Sequence, residues 1–111
     1  MNASIQMTNG QVQGEATPLR ATVVVRNPRG LHMRPAMMIA RFAAKYQSSI
    51  TVRRQDRKAN VRSMTQLMLL AALLGSELEL EVVGDDAHIA LPMLVEALGA
   101  NSSEDLELLL K

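Results

Sequence analysis

No cysteine and no tryptophan occur among the 111 residues, and one Phe and one Tyr are the whole aromatic complement. Without Cys there is neither a disulfide framework nor a thiolate metal site. With only His32 and His88 as imidazoles, any metal site would have to be completed by carboxylates, a poor set for a transition metal. A surface that binds single-stranded nucleic acid by base stacking needs more rings than Phe42 and Tyr46 supply. The core must instead be aliphatic, built from Leu, Val, Ala and eight Met, flexible side chains that fill irregular space. The longest apolar run, Leu67–Leu74, is far short of the ~20 residues that span a bilayer. The polar first twenty residues lack an apolar signal region, so a soluble, cytoplasmic protein is expected. A glycine-rich phosphate loop is also missing, and no nucleophile stands at a recognisable spacing from a base. No bound nucleotide, metal or other cofactor is expected.

One sign of charge is missing from a long stretch. Residues 63–110 contain no Lys or Arg but nine of the eleven acids, whereas residues 20–62 hold eleven of the twelve bases and a single acid, Asp56. A basic first half suits phosphate groups or an acidic protein surface.

What is present reads as one domain over residues 20–100. It is preceded by a flexible polar extension, 1–19, and followed by a tail, 101–111, able to form a short leucine-bearing helix that packs back. Ala21–Arg26, "ATVVVR", is β-branched and predicts a strand, broken by the turn residues Asn27-Pro28-Arg29-Gly30. From Met33 to Lys45 apolar residues recur at three- and four-residue steps, which predicts a helix with Pro35 in its first turn. Ser49–Arg54 alternates as a strand, Gln55–Arg57 reads as a hairpin loop and Lys58–Val61 as the return strand. Ser63 is placed to cap a second helix over Met64–Leu74, closed by Gly75. Glu77–Val83, "ELELEVV", alternates strictly, Leu78, Leu80 and Val82 inward and the three Glu outward. A third helix then runs to Gly99, with Pro92 expected to kink it or delay its start. The order β-α-β-β-α-β-α, with one polar face on its strands, predicts an α+β fold: an open-faced, two-layer sandwich with an antiparallel four-stranded sheet and helices on one face. The charges favour placing the fourth strand beside the second, so that Glu79 or Glu81 opposes Arg53.

The chemistry concentrates in residues 30–36, "GLHMRPA". His32 precedes a helix start, where unpaired N–H groups and the positive end of the macrodipole attract anions. Imidazole is the side chain whose neutral, nucleophilic form is readily available near neutral pH. A phosphoryl group held there would gain backbone donors, and Arg34 could add a bidentate, charge-assisted contact. Arg29 and Arg62 would enlarge the positive field. Taken singly these are ordinary capping features; the conjunction of turn Gly, His, Arg and first-turn Pro points to a carrier of phosphoryl groups.

"NPRGLHMRPA" resembles the active-site stretch of the HPr family, small phosphocarriers of the phosphoenolpyruvate-dependent phosphotransferase system. "RKANVRSM" before an apolar helix resembles the family's second signature, and the similarity spans about Arg20 to Gly99. The resemblance implies a sheet in the order 1-4-2-3, a histidine phosphorylated at Nδ1 at His32 and an active-site arginine at Arg34. It implies phosphoryl receipt from enzyme I and delivery to an enzyme IIA domain, by a carrier rather than a self-sufficient enzyme. In many bacteria a kinase modifies a serine matching Ser63, so HPr serine kinase is a further candidate partner. A monomer is expected. Three positions depart from the family. Arg29 stands where an Asn often bonds the ring, Met33 replaces a small residue, and Ala71 replaces a helix-ending Gly, which suggests a longer second helix.

That second helix, "SMTQLMLLAALLG", is apolar nearly all round. Either it is simply well packed, or Met64, Leu67 and Met68 form a partner-docking patch beside His32, ringed by Arg29, Met33 and Arg62. Ser63 is similarly open between a plain cap and a regulatory phosphoserine. Two rival functions remain: an HPr-like regulatory module in a nitrogen- or carbon-control phosphorelay, and a nucleic-acid-binding domain using Arg53, Arg54, Arg57, Lys58 and Arg62. An enzyme with its own small-molecule pocket has the least support.

Overall fold

The computed structural model describes residues 17–111. In chain order these form β1 (Leu19–Val24), α1 (Met33–Ala43), β2 (Ser49–Arg54), β3 (Arg57–Asn60), α2 (Met64–Leu69), β4 (Glu77–Val83), α3 (Ala87–Leu98) and α4 (Ser103–Leu109). The expected extension, 1–19, lies outside the described residues through residue 16. The terminal helix expected in the tail is present as α4.

The strands make one antiparallel sheet in the order β1-β4-β2-β3. Strand β4 is paired on both sides, with β1 and β2, and its alternation leaves Leu78, Leu80 and Val82 buried and Glu77 and Glu79 exposed on the other face. On that outer face Arg53 of β2 stands opposite Glu79, with Nη2 2.9 Å from Oε1. Arg20 of β1 likewise stands opposite Glu81, with Nη2 2.7 Å from Oε2. Exposed pairs of this kind contribute only about 0–1 kcal/mol each. Their main effect is on register, because a one-residue slip would turn the acids inward.

The inner face carries Val23, Ile50, Val52 and Ala59, and packs with Ile39, Leu67, Leu70, Leu94, Leu98 and Leu106 from the helices. Helix α3 lies over β1 and β4, α2 beside β3, α1 against α2 and α3, and α4 against α1 and α3. No described helix is long and apolar enough to cross a membrane.

Several element ends differ from the sequence-based expectation. Strand β1 starts two residues early, at Leu19, because Leu19 and Arg20 find partners in Val82 and Glu81. Its ladder ends at Val24, although Val25 still exchanges bonds with the loop, donating to Ser76 O (2.9 Å) and accepting from Gly75 N (2.8 Å). The β2–β3 turn is tighter than expected, with Arg54 paired to Arg57 around Gln55-Asp56. Helix α2 is shorter, not longer: it ends at Leu69, and Ala71 takes φ +54. Two arginines of the hairpin cap its last carbonyls, Arg57 on Leu69 O (3.0 Å) and Arg54 on Leu70 O (3.1 Å), where positive charge also complements the dipole. Helix α3 starts at Ala87 with no delay and runs through Pro92. Pro92 has no N–H for the His88 carbonyl one turn back, and both residues are exposed to solvent.

Candidate functional site

The loop ahead of α1 is held by its own backbone and by the segment after α2. Gly30 N–H donates to Asn27 O (2.8 Å), and the buried Asn27 side chain accepts from Arg29 N–H (3.0 Å), a turn closed at both levels. Gly30 has φ +71, and a Cβ there would lie 2.4 Å from Ala72 O. Both backbone conformation and space therefore require glycine. Leu31, buried, donates its N–H to the same Ala72 carbonyl at 2.9 Å. His32 emerges from this anchor as the N-cap of α1, in extended conformation (φ −80, ψ −173).

His32 is partly buried, and its side chain makes no cap hydrogen bond to the helix. Its carbonyl accepts Ala36 N–H at 3.0 Å, so the helix closes behind it. Pro35 has no N–H, and among the described residues the amides of Met33 and Arg34 have no protein acceptor. There is no acidic residue in the first turn of this eleven-residue helix, and Arg41 lies in its last. The helix thus begins with two unengaged amides and no acid of its own beside an imidazole, an arrangement suited to an anion.

Arg34 is on the second helical position, but its guanidinium is turned toward α4. Nη1 is 3.7 Å from Glu104 Oε2 and Nη2 is 3.6 Å from Glu107 Oε1. Sequence reasoning missed both acids, although their three-residue spacing on a leucine-bearing tail was the available signal. Arg29 is exposed and uses its backbone, not its side chain, in the turn.

The other expected site residues divide. Met33 is 61% exposed and Met68 41%, whereas Leu67 is 0% exposed and belongs to the core. Met64 packs partly buried against that core. Of the exposed large apolar residues, Met33, Met37, Met68, Leu69, Leu73 and Leu74 belong to α1, α2 and the segment after α2, whereas Val24, Ile89 and Leu108 lie on other elements. Leu73 comes within reach of the loop ahead of α1, its Cα only 3.0 Å from where a Gly30 Cβ would stand. Arg62 is not beside His32. Its guanidinium donates to the carbonyls of Tyr46 and Ser48, past the far end of α1 and so about 16 Å along the helix from His32. Ser63 caps α2, its Oγ accepting Gln66 N–H at 3.2 Å, and Gln66 Oε1 accepts Asn60 N–H at 2.8 Å.

Residues 19–100 match the family model described as "PTS HPr component phosphorylation site". The chain belongs to the HPr family. Among its relatives, the phosphocarrier protein HPr of Treponema pallidum is 40% identical over 84 residues, covering 76% of this chain and 94% of that protein. The phosphocarrier protein HPr of Xylella fastidiosa is 32% identical over 87 residues, covering 78% and 98%. The crystal structure of a phosphocarrier protein HPr from Bacillus anthracis superposes with a TM-score of 0.70 at 27% identity, covering 73% of this chain and 96% of that one. This protein is thus an HPr-family phosphocarrier of the phosphotransferase system, with the expected sheet order. Its helix α4, Ser103–Leu109, lies beyond the residues matched to HPr.

Proposed function

We propose that His32 is the residue that carries the phosphoryl group. The observation that supports this best is the partly exposed His32 at the cap of α1, beside first-turn amides with no acceptor among the described residues and no acid within that turn. In the reaction, the His32 Nδ1 lone pair attacks the phosphorus of phosphorylated enzyme I. The donor's bond to phosphorus breaks with its pair, and the His32 proton stays on Nε2. The free amides and the helix dipole then face the phosphate oxygens, and Arg34, once released from α4, adds its fork. Transfer to an enzyme IIA domain repeats the step in reverse roles, serving sugar uptake or its regulation. Phosphoryl transfer depends chiefly on positioning and charge stabilisation, so two small faces brought together suffice.

Partners dock on the apolar surface of Met33, Met68 and their neighbours, with Arg29 steering acidic groups toward it. Adaptable Met side chains suit a surface that must fit both a donor and an acceptor. The protein works as a cytoplasmic monomer. Phosphorylation of Ser63 by a serine kinase would add about −2 charge at the α2 N-terminus and repel the same acidic partners.

A nucleic-acid role fits less well. Arg53 is paired with Glu79, and Arg54, Arg57 and Arg62 are bonded to backbone carbonyls. Incubation with phosphoenolpyruvate and enzyme I, followed by intact-mass analysis, tests the main reading. One acid-labile phosphate is expected, absent in His32→Ala. Full labelling of that variant would refute the assignment.

A further inference from the structure

Helix α4 is seated firmly enough to present chosen side chains. Leu106 is 1% exposed, and Ser102 Oγ caps the helix by accepting Asp105 N–H at 3.0 Å. With Leu106 facing α1 and α3, Glu104 and Glu107 fall on one side of the helix, three residues apart. Both reach Arg34, one carboxylate to each terminal nitrogen, at 3.7 and 3.6 Å. This is the same two-nitrogen fork that would grasp phosphate oxygens.

We propose that Glu104 and Glu107 are positioning residues for phosphoryl transfer, which draw Arg34 away from His32 and set negative charge beside the phosphoryl site. The inference rests on His32 being the carrier residue. A phosphoryl group arriving at the helix tip gains the guanidinium only by taking it from the two acids, which also repel the incoming dianion. Both ion pairs are longer than a hydrogen bond and half-exposed or more, so the restraint is weak and quickly exchanged. The acids therefore slow acceptance modestly and make the loaded group easier to pass on. A carrier needs that balance, since it must neither refuse the phosphoryl group nor keep it.

Phosphoramidate isolates this effect, because it delivers a phosphoryl group without a protein docking surface. The His32 ring nitrogen attacks phosphorus, the P–N bond breaks, and the nitrogen leaves as ammonia with its electron pair. At low salt the Glu104→Gln/Glu107→Gln protein is expected to load His32 about two- to five-fold faster than the wild type. The difference is expected to vanish near 1 M salt, where screening acts within ~3 Å. It should also shrink by more than half when Arg34 is already Ala, as coupled residues require. Glu77→Gln/Glu96→Gln, two exposed acids outside α4, controls for net charge, and a urea unfolding curve on each variant controls for loss of α4. Equal loading rates at low salt, or a gain undiminished without Arg34, would overturn the inference while leaving His32 as carrier. No phosphate on His32 in any variant would overturn both.

Discussion

Leu67 and Met68 adjoin in the chain, yet one is fully buried and the other 41% exposed, because each helical step turns the side chain by about 100°. They therefore separate stability from docking. Leu67→Ala is expected to cost about 2–5 kcal/mol by creating a core cavity, read as a lower urea midpoint at an unchanged slope. Met68→Ala is expected to change stability by no more than ~0.5 kcal/mol but to slow loading from enzyme I, while loading from phosphoramidate is unaffected. An equal loss with both donors would remove Met68 from the docking surface. At Gly30 the same scale leaves no latitude, since the Ala72 carbonyl occupies the space a side chain needs.

At the scale of elements, α2 is the instructive case. Its sequence stays apolar through Leu74, and helical periodicity extends past the observed end. The helix stops because its last carbonyls are taken from outside, by Arg54 and Arg57, and because Ala72 O is given to Leu31. Ala71 then turns the chain at φ +54, a region where a Cβ is strained. Ala71→Gly should relieve that strain and raise stability by about 0.5–1 kcal/mol, measured by urea denaturation. A lower midpoint would mean that the Ala71 side chain contributes more than its backbone costs.

Across the whole molecule, distant segments are tied by a few polar links. Asp86, at the start of α3, accepts from Gln47 N–H (2.8 Å), Ser48 N–H (3.0 Å) and the Ser48 hydroxyl, fastening the α1–β2 turn. The Ser48 hydroxyl bond first, and the Gln47 amide next, hold its carboxyl below the usual value of 3.8, against a smaller opposing effect of burial. A depressed carboxylate contributes stability that is fully present above its unfolded value and is lost as pH falls through the folded one. Stability should therefore drop below about pH 4. Asp86→Asn should be less stable at neutral pH and show a shallower acid loss in thermal melts between pH 5 and 2. Parallel curves for the two proteins would exclude Asp86 as a source of that slope. Charge is redistributed at this scale too: the bases of the first half and the acids of the second meet across β1-β4-β2 and at α4.

The sequence by itself determined the features that depend on near neighbours. Alternation in Glu77–Val83 marked the fourth strand and its buried face, the charge pairing of Glu79 with Arg53 placed it beside the second, Ser63 marked the start of α2, and the Gly-Leu-His-x-Arg-Pro run marked both the helix start and the family. Apart from that cross-strand pairing, each is set by steric and hydrogen-bonding preferences acting over a few residues. Only the tertiary structure decided where α2 ends, that Leu67 is core, that Arg62 serves the far end of α1, and that Arg34 faces Glu104 and Glu107. Those outcomes depend on carbonyls and carboxylates brought together from remote parts of the chain, and local periodicity carries no information about which remote group arrives first at a given donor.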